Sequence, residues 1–167
     1  MESFNATFSF AVPHDASDIA RLRQKVWADT YRGVFPDDMI DQFDFAWHTQ
    51  QDRDRILRPD FRVYRICVSE GNSIGYLVVR LSDPILLHSL YLIPEFQHQG
   101  IGHQAFQQIY RLCREEGADH FICHCHPENQ NAIRFYEGLG GVLIEKDMSY
   151  ADRWQNSLVY QFSVPSL

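Results

Sequence analysis

The chain lacks any apolar run long enough to cross a bilayer. Its longest, from Pro84 to Leu87 and on to Ile93, is interrupted by His88 and Ser89, whereas a spanning helix needs about 20 consecutive apolar residues. Its first residues, MESFNATFSF, carry neither a basic start nor an apolar stretch, so no secretory leader is indicated and a cytoplasmic, non-membrane protein is expected. Internal repeats and low-complexity tracts are missing. Positive charge is scarce: 15 Lys and Arg stand against 22 Asp and Glu, a net charge of −7, which argues against a nucleic-acid binder. Cysteines number four, Cys67, Cys113, Cys123 and Cys125, each inside an apolar-patterned segment, so reduced thiols are expected rather than a disulfide framework.

What is present suffices for one domain over residues 1–167, with a hydrophobic fraction of 45% and a length that can bury a real core. Alternation marks a first strand over Phe8 to Val12, ended by Pro13. Asp15 is placed to cap a helix striped by Ile19, Leu22 and Val26, which Trp27 and Tyr31 extend to a break at Gly33 and Pro36. A second, more acidic helix is expected from Asp37 through Ile40, Phe43 and Trp47. Arg62 to Ser69 and Ile74 to Arg80 read as a hairpin around Glu70, Gly71, Asn72 and Ser73. Ile85 to Ile93 is the next strand. A helix follows with Ile101, Ala105, Ile109, Leu112 and Cys113 on one face and stops at Gly117. His120 to His126 is a strand, parallel to the one before the helix by the right-handed crossover rule. A short helix over Asn131 to Leu139 and strands near Val142 to Glu145 and Ser157 to Phe162 complete a mixed sheet. Helices on both faces make this an α/β layer architecture.

The segment Leu90 to Phe106, LYLIPEFQHQGIGHQAF, runs from strand through glycine loop into helix. Without a Cβ, Gly100 and Gly102 let the loop from Gln97 to His103 turn sharply and aim backbone N–H groups at one anion, to which the helix dipole adds. Gly100, Gly102 and Ala105 also satisfy the dinucleotide fingerprint Gly-x-Gly-x-x-Gly/Ala. That fingerprint wants an acidic residue at the end of the following strand. Here the strand ends in His124, Cys125 and His126, with Asp119 before it and Glu128 beyond it.

Gln97, Gly100 and Gly102 resemble motif A of the GCN5-related N-acetyltransferases, the GNAT superfamily. Asn129, Ala132, Phe135, Tyr136 and Gly140 resemble its motif B. The resemblance covers about Ile85 to Gly141 and is thin before that. One departure is Gly141, where the family usually carries an aromatic; a second glycine there is expected to loosen the start of the next strand. The resemblance implies a mostly antiparallel sheet of six to seven strands with a splayed parallel pair, and acetyl-CoA as co-substrate. The cofactor would pair with the backbone of Leu90, Tyr91 and Leu92, rest its diphosphate on Gln97, His98, Gln99, Gly100, Ile101, Gly102 and His103, and meet Asn129 or Asn131. A side chain at Gly102 is expected to enter the diphosphate's space.

The same resemblance implies a role for Tyr136, which matches the general-acid tyrosine of motif B and would protonate the leaving thiolate. His88, Ser89 and Leu90 are similar to the HAL segment of the arylalkylamine N-acetyltransferases, which implies His88 as base. Those enzymes carry a second histidine where this chain has Leu86. An ordinary histidine pKa near 6.5 suits a base, and a histidine hydrogen-bonded inside the fold is the competing reading.

On a strand, His124 and His126 share one face and Cys123 and Cys125 the other, so the four do not converge on one tetrahedral metal ion. Either histidine could border the acceptor pocket or lie on ordinary strand surface. For the acceptor, Trp27 and Tyr31 are the candidate contacts, beside the acidic set Asp37, Asp38, Asp41 and Asp44; this segment is similar to polyamine acetyltransferases of the PaiA type. Acidic and aromatic walls suit an amine of a small molecule or peptide. A homodimer is compatible with these readings. A module that binds acetyl-CoA without turnover is the alternative outside enzymes, and a dinucleotide binder the alternative cofactor reading.

Overall fold

Ile74 to Val79 is an unbroken buried run, the pattern of a central strand covered on both faces. The computed structural model, which describes residues 4–68 and 71–167, places it so. Ser69 and Glu70 of the expected hairpin turn lie outside the described residues. The strands are β1 (Thr7–Phe10), β2 (Phe61–Cys67), β3 (Ser73–Arg80), β4 (Ile85–Leu92), β5 (His120–Cys125), β6 (Val142–Asp147) and β7 (Ser157–Ser163). Among the described residues they form one sheet in the order β1-β2-β3-β4-β5-β7-β6. Only β4 and β5 pair in parallel; the other neighbours are antiparallel. The helices are α1 (Ala16–Thr30), α2 (Asp37–Asp41), α3 (Phe45–Leu57), α4 (Ile101–Glu115) and α5 (Gln130–Gly138). None is long and apolar enough to cross a membrane among the described residues.

Alternation on β3 divides the interior. Leu77 and Val79 join α4 and α5 in the larger cluster, with Ile101, Phe106 and Ile109 from α4 and Phe121, Cys123, Tyr160 and Phe162 from the strands. Tyr76 and Val78 point the other way, into a smaller cluster with Ile19 of α1, Phe61 and Val63. The α4 stripe is buried as its spacing predicts. Gly117, at φ 72, ends the helix, and Ala118 N–H closes it on the Cys113 carbonyl at 2.8 Å, the Schellman arrangement.

Two local expectations fail. The acidic segment is two helices, α2 and α3, because Asp44 leaves the helical region and its carboxylate caps α3 by accepting the Trp47 N–H at 2.9 Å. Asp15 does not cap α1 with its side chain; its carboxylate instead accepts the Val12 N–H at 2.8 Å.

On β4, Val78 pairs with Ser89 and Val79 with Leu87, so His88 is the extra residue of a β-bulge. The bulge reverses facing. Ile85 and Leu87 lie on the α4 side before it, Leu90 and Leu92 after it, and Tyr91 turns to the α1 face.

Where β3 meets the end of β4, a Cβ on Gly75 would lie 2.1 Å from the Tyr91 carbonyl oxygen and 2.9 Å from a Leu92 methyl. We therefore expect Gly75→Ala to push these strands apart and to destabilise the protein by about 1–3 kcal/mol, the range of overpacking. Denaturant unfolding checks it, and an unchanged midpoint would show that the strands can separate there freely.

Candidate active site

β4 and β5 are paired only at Ile85–Phe121, Leu86–Ile122 and Leu87–Cys123. Beyond Leu87 they diverge, and His88 of β4 and His124 of β5, both exposed, follow the last pair on either side of the opening. Ile93 donates its N–H to Ile74 of β3 at 2.9 Å. Strand alternation therefore turns the backbone groups of Leu92 and Leu90 toward the opening and those of Tyr91 toward β3. Of the three expected backbone contacts, two face the gap; Tyr91 offers its side chain to the opposite face.

At the end of this opening lies the glycine loop. His98 and Gly100 have positive φ, 59 and 83, and Gly100 is the residue before α4. The first backbone bond of α4 runs from Gln104 N–H to the Gly100 carbonyl, 3.2 Å, so the N–H groups of Ile101, Gly102 and His103 precede any helical acceptor. A Cβ on Gly100 would meet nothing within 4 Å. This is an open bowl lined by N–H groups at a helix N-terminus, a fit for a diphosphate. The Gln97 and Gln99 side-chain amides fold back onto the Leu92 and Glu95 carbonyls, at 2.9 and 2.8 Å, so they brace the loop.

Gly102 overturns an expectation. Its Cβ would lie 2.7 Å from Phe135 Cζ, so the glycine lets α4 and α5 approach each other, and an added side chain meets a ring of the core. Gly141 does the same for the next turn. A Cβ there would come within 2.8 Å of both Phe162 Cζ and the Tyr136 carbonyl oxygen, so this glycine packs tightly where looseness was expected.

Tyr136, on α5, packs among Phe106, Tyr160 and Phe162. Burial, with Cys123, Cys125 and Tyr31 nearby, raises its pKa well above the ordinary 10, so the hydroxyl keeps its proton. Asn129 caps α5, its Oδ1 accepting the Ala132 N–H at 3.2 Å, while its side chain also faces the Tyr31 hydroxyl. Asn131 is exposed and holds Arg134 at 2.6 Å.

Across the sheet, Tyr31 stacks on Phe35 at 4.3 Å. Burial raises its pKa against the opposing effect of Asn129 and Tyr91. Trp27 sits edge-on to Phe35, Phe43 and His48, in a nest that joins α1, α2 and α3. The acidic set is engaged elsewhere: Asp37 and Asp41 hold Arg32, Asp38 accepts the Met39 N–H, and Asp44 caps α3.

His126 is a clamp. Its Nδ1 accepts the Glu128 N–H at 3.1 Å, which leaves the ring proton on Nε2 to be donated to the Arg153 carbonyl at 3.0 Å. Arg153 in turn pairs with Glu128 at 2.9 Å and donates to the Gly33 carbonyl. Glu128, the acid nearest the dinucleotide pattern, is thus taken up by Arg153. His124 stays exposed, 3.1 Å from Ser157 Oγ.

His88 lies 2.8 Å from Ser89 Oγ and edge-on to Phe61 at 5.9 Å. The surrounding protein, then Arg55 and Arg23, push its pKa down to about 4, below the ordinary histidine value expected of a base. Sequence reasoning missed these two arginines, whose effect on His88 Asp52 partly offsets. Arg23 of α1 and Asp52 of α3 form a buried bidentate pair at 2.6 and 2.8 Å. Burial opposes the Arg23 charge, but Tyr76 and Asp52 outweigh it and raise its pKa. The signal available was the stripe His48, Asp52, Arg55 on one helix face.

A family model described as "Acetyltransferase (GNAT) family" matches residues 20–140. N-alpha-acetyltransferase 50 of Danio rerio is 22% identical over 84% of this chain and 77% of its own length. Among solved structures, the PaiA N-acetyltransferase of Thermoplasma acidophilum in complex with coenzyme A superposes with a TM-score of 0.82 at 16% identity, over 95% of this chain and 99% of that one. The ribosomal-protein-S18-alanine N-acetyltransferase of Escherichia coli superposes with a TM-score of 0.69 at 14% identity, over 98% and 96%.

Because position 102 faces Phe135, Gly102→Val is expected to lower the melting temperature, and Phe135→Ala in the same chain to restore part of the loss. Gly100→Ala has free space and meets only left-handed backbone strain, about 1–2 kcal/mol. Thermal melts of the three variants check this; a Gly102→Val protein as stable as its parent would remove the packing role.

Proposed function

The chain belongs to the GNAT acetyltransferase family, and on that premise we propose that it moves an acetyl group from acetyl-CoA to the primary amine of a small molecule or peptide. One observation carries the reading. The opening between β4 and β5 ends at the N–H bowl of α4, with Tyr136 in the cluster on the α4 and α5 face and Tyr91 in the cluster on the α1 face, where Phe61 meets the His88 ring and the Tyr31 hydroxyl meets Tyr91. Acetyl-CoA supplies the acetyl group activated as a thioester.

Around that group the chain's residues have separate tasks. The N–H groups of Ile101, Gly102 and His103 neutralise the diphosphate with the help of the α4 dipole. Leu90 and Leu92 offer backbone donors and acceptors to an extended arm, and Asn129 or Asn131 an amide. An alkylammonium of pKa about 10.4 holds its proton by roughly 4–5 kcal/mol at neutral pH. The ammonium gives up that proton to solvent before attack; as the neutral amine forms the new C–N bond a remaining N–H becomes acidic, and a neutral His88 can accept that second proton. Tyr136 donates its own proton to the departing thiolate. Its raised pKa makes donation harder than for a free tyrosine but keeps the donor fully protonated. Tyr31 and Tyr91 line the acceptor side, and Trp27 supports Tyr31 through Phe35.

The single experiment that tests the whole reading is a screen of amines with detection of the freed thiol. Within it, Tyr136→Phe should lower kcat by roughly 10²-fold while acetyl-CoA binding stays near that of the parent. A normal rate would return the tyrosine to a packing role.

His88 makes a pH prediction. Its folded pKa, about 4, lies below the unfolded value near 6.5, so the unfolded chain binds the extra proton first. Its contribution to stability is complete above pH 6.5 and declines as pH falls toward 4. The same shift keeps the ring neutral through the physiological range, so His88→Ala should lower kcat without abolishing a limb near pH 6.5. An NMR titration of the ring checks the premise; a midpoint near 6.5 in the free protein would overturn it.

A further inference from the structure

On α3, His48, Asp52 and Arg55 stand at positions i, i+4 and i+7, one stripe facing α1 and the sheet. Arg23 uses both oxygens of Asp52. Arg55 is left with one longer contact, 3.3 Å from Nη1 to Asp52 Oδ1. A guanidinium has five N–H donors, and among the described residues those remaining on Arg55 have no side-chain partner. Its side chain is 24% exposed, so the unpaired donors are within reach of a ligand.

Ile56, next to Arg55 on α3, packs against the cluster of Phe61 and Tyr76, as Tyr91 does, which puts this part of α3 on the His88 side of the sheet, where the Arg55 charge helps to lower the His88 pKa. Farther along, Arg58 and Arg80 lie over the Phe61 ring at 4.9 and 5.7 Å and share Asp60, while Phe61 touches the His88 ring. Four guanidinium groups, those of Arg23, Arg55, Arg58 and Arg80, thus share two carboxylates, Asp52 and Asp60, on the α1 and α3 side of the sheet near His88. The whole chain, by contrast, carries a net charge of −7. Of the four acids that could draw a second ammonium, Asp37 and Asp41 are committed to Arg32 and Asp44 to its helix cap.

We infer that the acceptor is a small amine that also carries an anionic group, a carboxylate or phosphate, which the free donors of Arg55 hold while the amino end reaches His88. This rests on the acetyl-transfer reading above. A planar guanidinium suits either anion in a bidentate pair. A polyamine would instead bring a second positive charge against Arg55.

Initial rates with 4-aminobutyrate, O-phosphoethanolamine, butylamine and 1,4-diaminobutane test it. One of the two anionic amines should exceed both others in kcat/KM by roughly tenfold or more, and which one identifies the anion. Arg55→Gln should raise KM for that amine until the preference disappears, and Arg55→Lys should retain part of it. A preference for 1,4-diaminobutane or butylamine, or a preference that survives Arg55→Gln, would overturn the inference. If Arg55→Gln does not fold, the wild-type ranking decides. A thermal shift separates the two levels of the argument. Should no amine be acetylated, a melting-temperature rise with an anionic amine and not with butylamine sustains the anion site while the transfer reading falls; no such rise defeats both.

Discussion

A strand can leave its partner in the middle of a sheet only if its backbone groups find other occupation, because a buried N–H or C=O without a partner costs about 1–3 kcal/mol. The separation of β4 from β5 after Leu87 and Cys123 is the place where this chain accepts that constraint. Much of the described site depends on it. The Gln97 amide takes the Leu92 carbonyl, the bulge at His88 turns Tyr91 to one face while Leu90 and Leu92 keep the other, and α4 begins where the gap ends. An extended ligand backbone is the natural partner for what remains free. The opening is therefore a structural debt built into the sheet as well as a passage through it.

Much of this architecture was legible from local pattern. The α4 stripe, the glycine turn before it and the parallel pair on either side follow from periodicity and handedness. The bulge was not legible, because Ile85, Leu86 and Leu87 before it and Leu90, Tyr91 and Leu92 after it are apolar on both faces and carry no alternation to break. The split between α2 and α3 was signalled by Asp44, a helix-capping residue in the middle of an assumed helix. Gly102 and Gly141 show where local reading ends. Each faces a ring contributed by a distant segment, Phe135 and Phe162, and nothing in the glycine pattern tells a gap kept for a ligand from one filled by the core.

The electrostatics carry the same lesson. Counting acids along the first helices suggested a negative acceptor wall. In the fold most of those acids serve Arg32 and helix ends, and the residues that set the potential at His88 come from α1, α3 and β3. Net charge describes solubility and long-range steering; it does not describe a cleft whose charges are separated by tens of residues and brought together by packing. His88 illustrates the difference, a residue with an ordinary intrinsic pKa whose environment keeps it neutral.

The clamp around Arg153 affects how the loops it joins can move. Its side chain reaches Gly33 and Glu128, and its carbonyl receives His126, so three loops from remote parts of the sequence share one fastening. Such a rim has few independent ways to fluctuate. Loosening any one loop surrenders bonds to the other two, and the rim opens as a unit or stays shut. Any molecule that docks against these loops would meet surfaces whose disorder was already removed during folding, and little of its binding energy would go into arranging them.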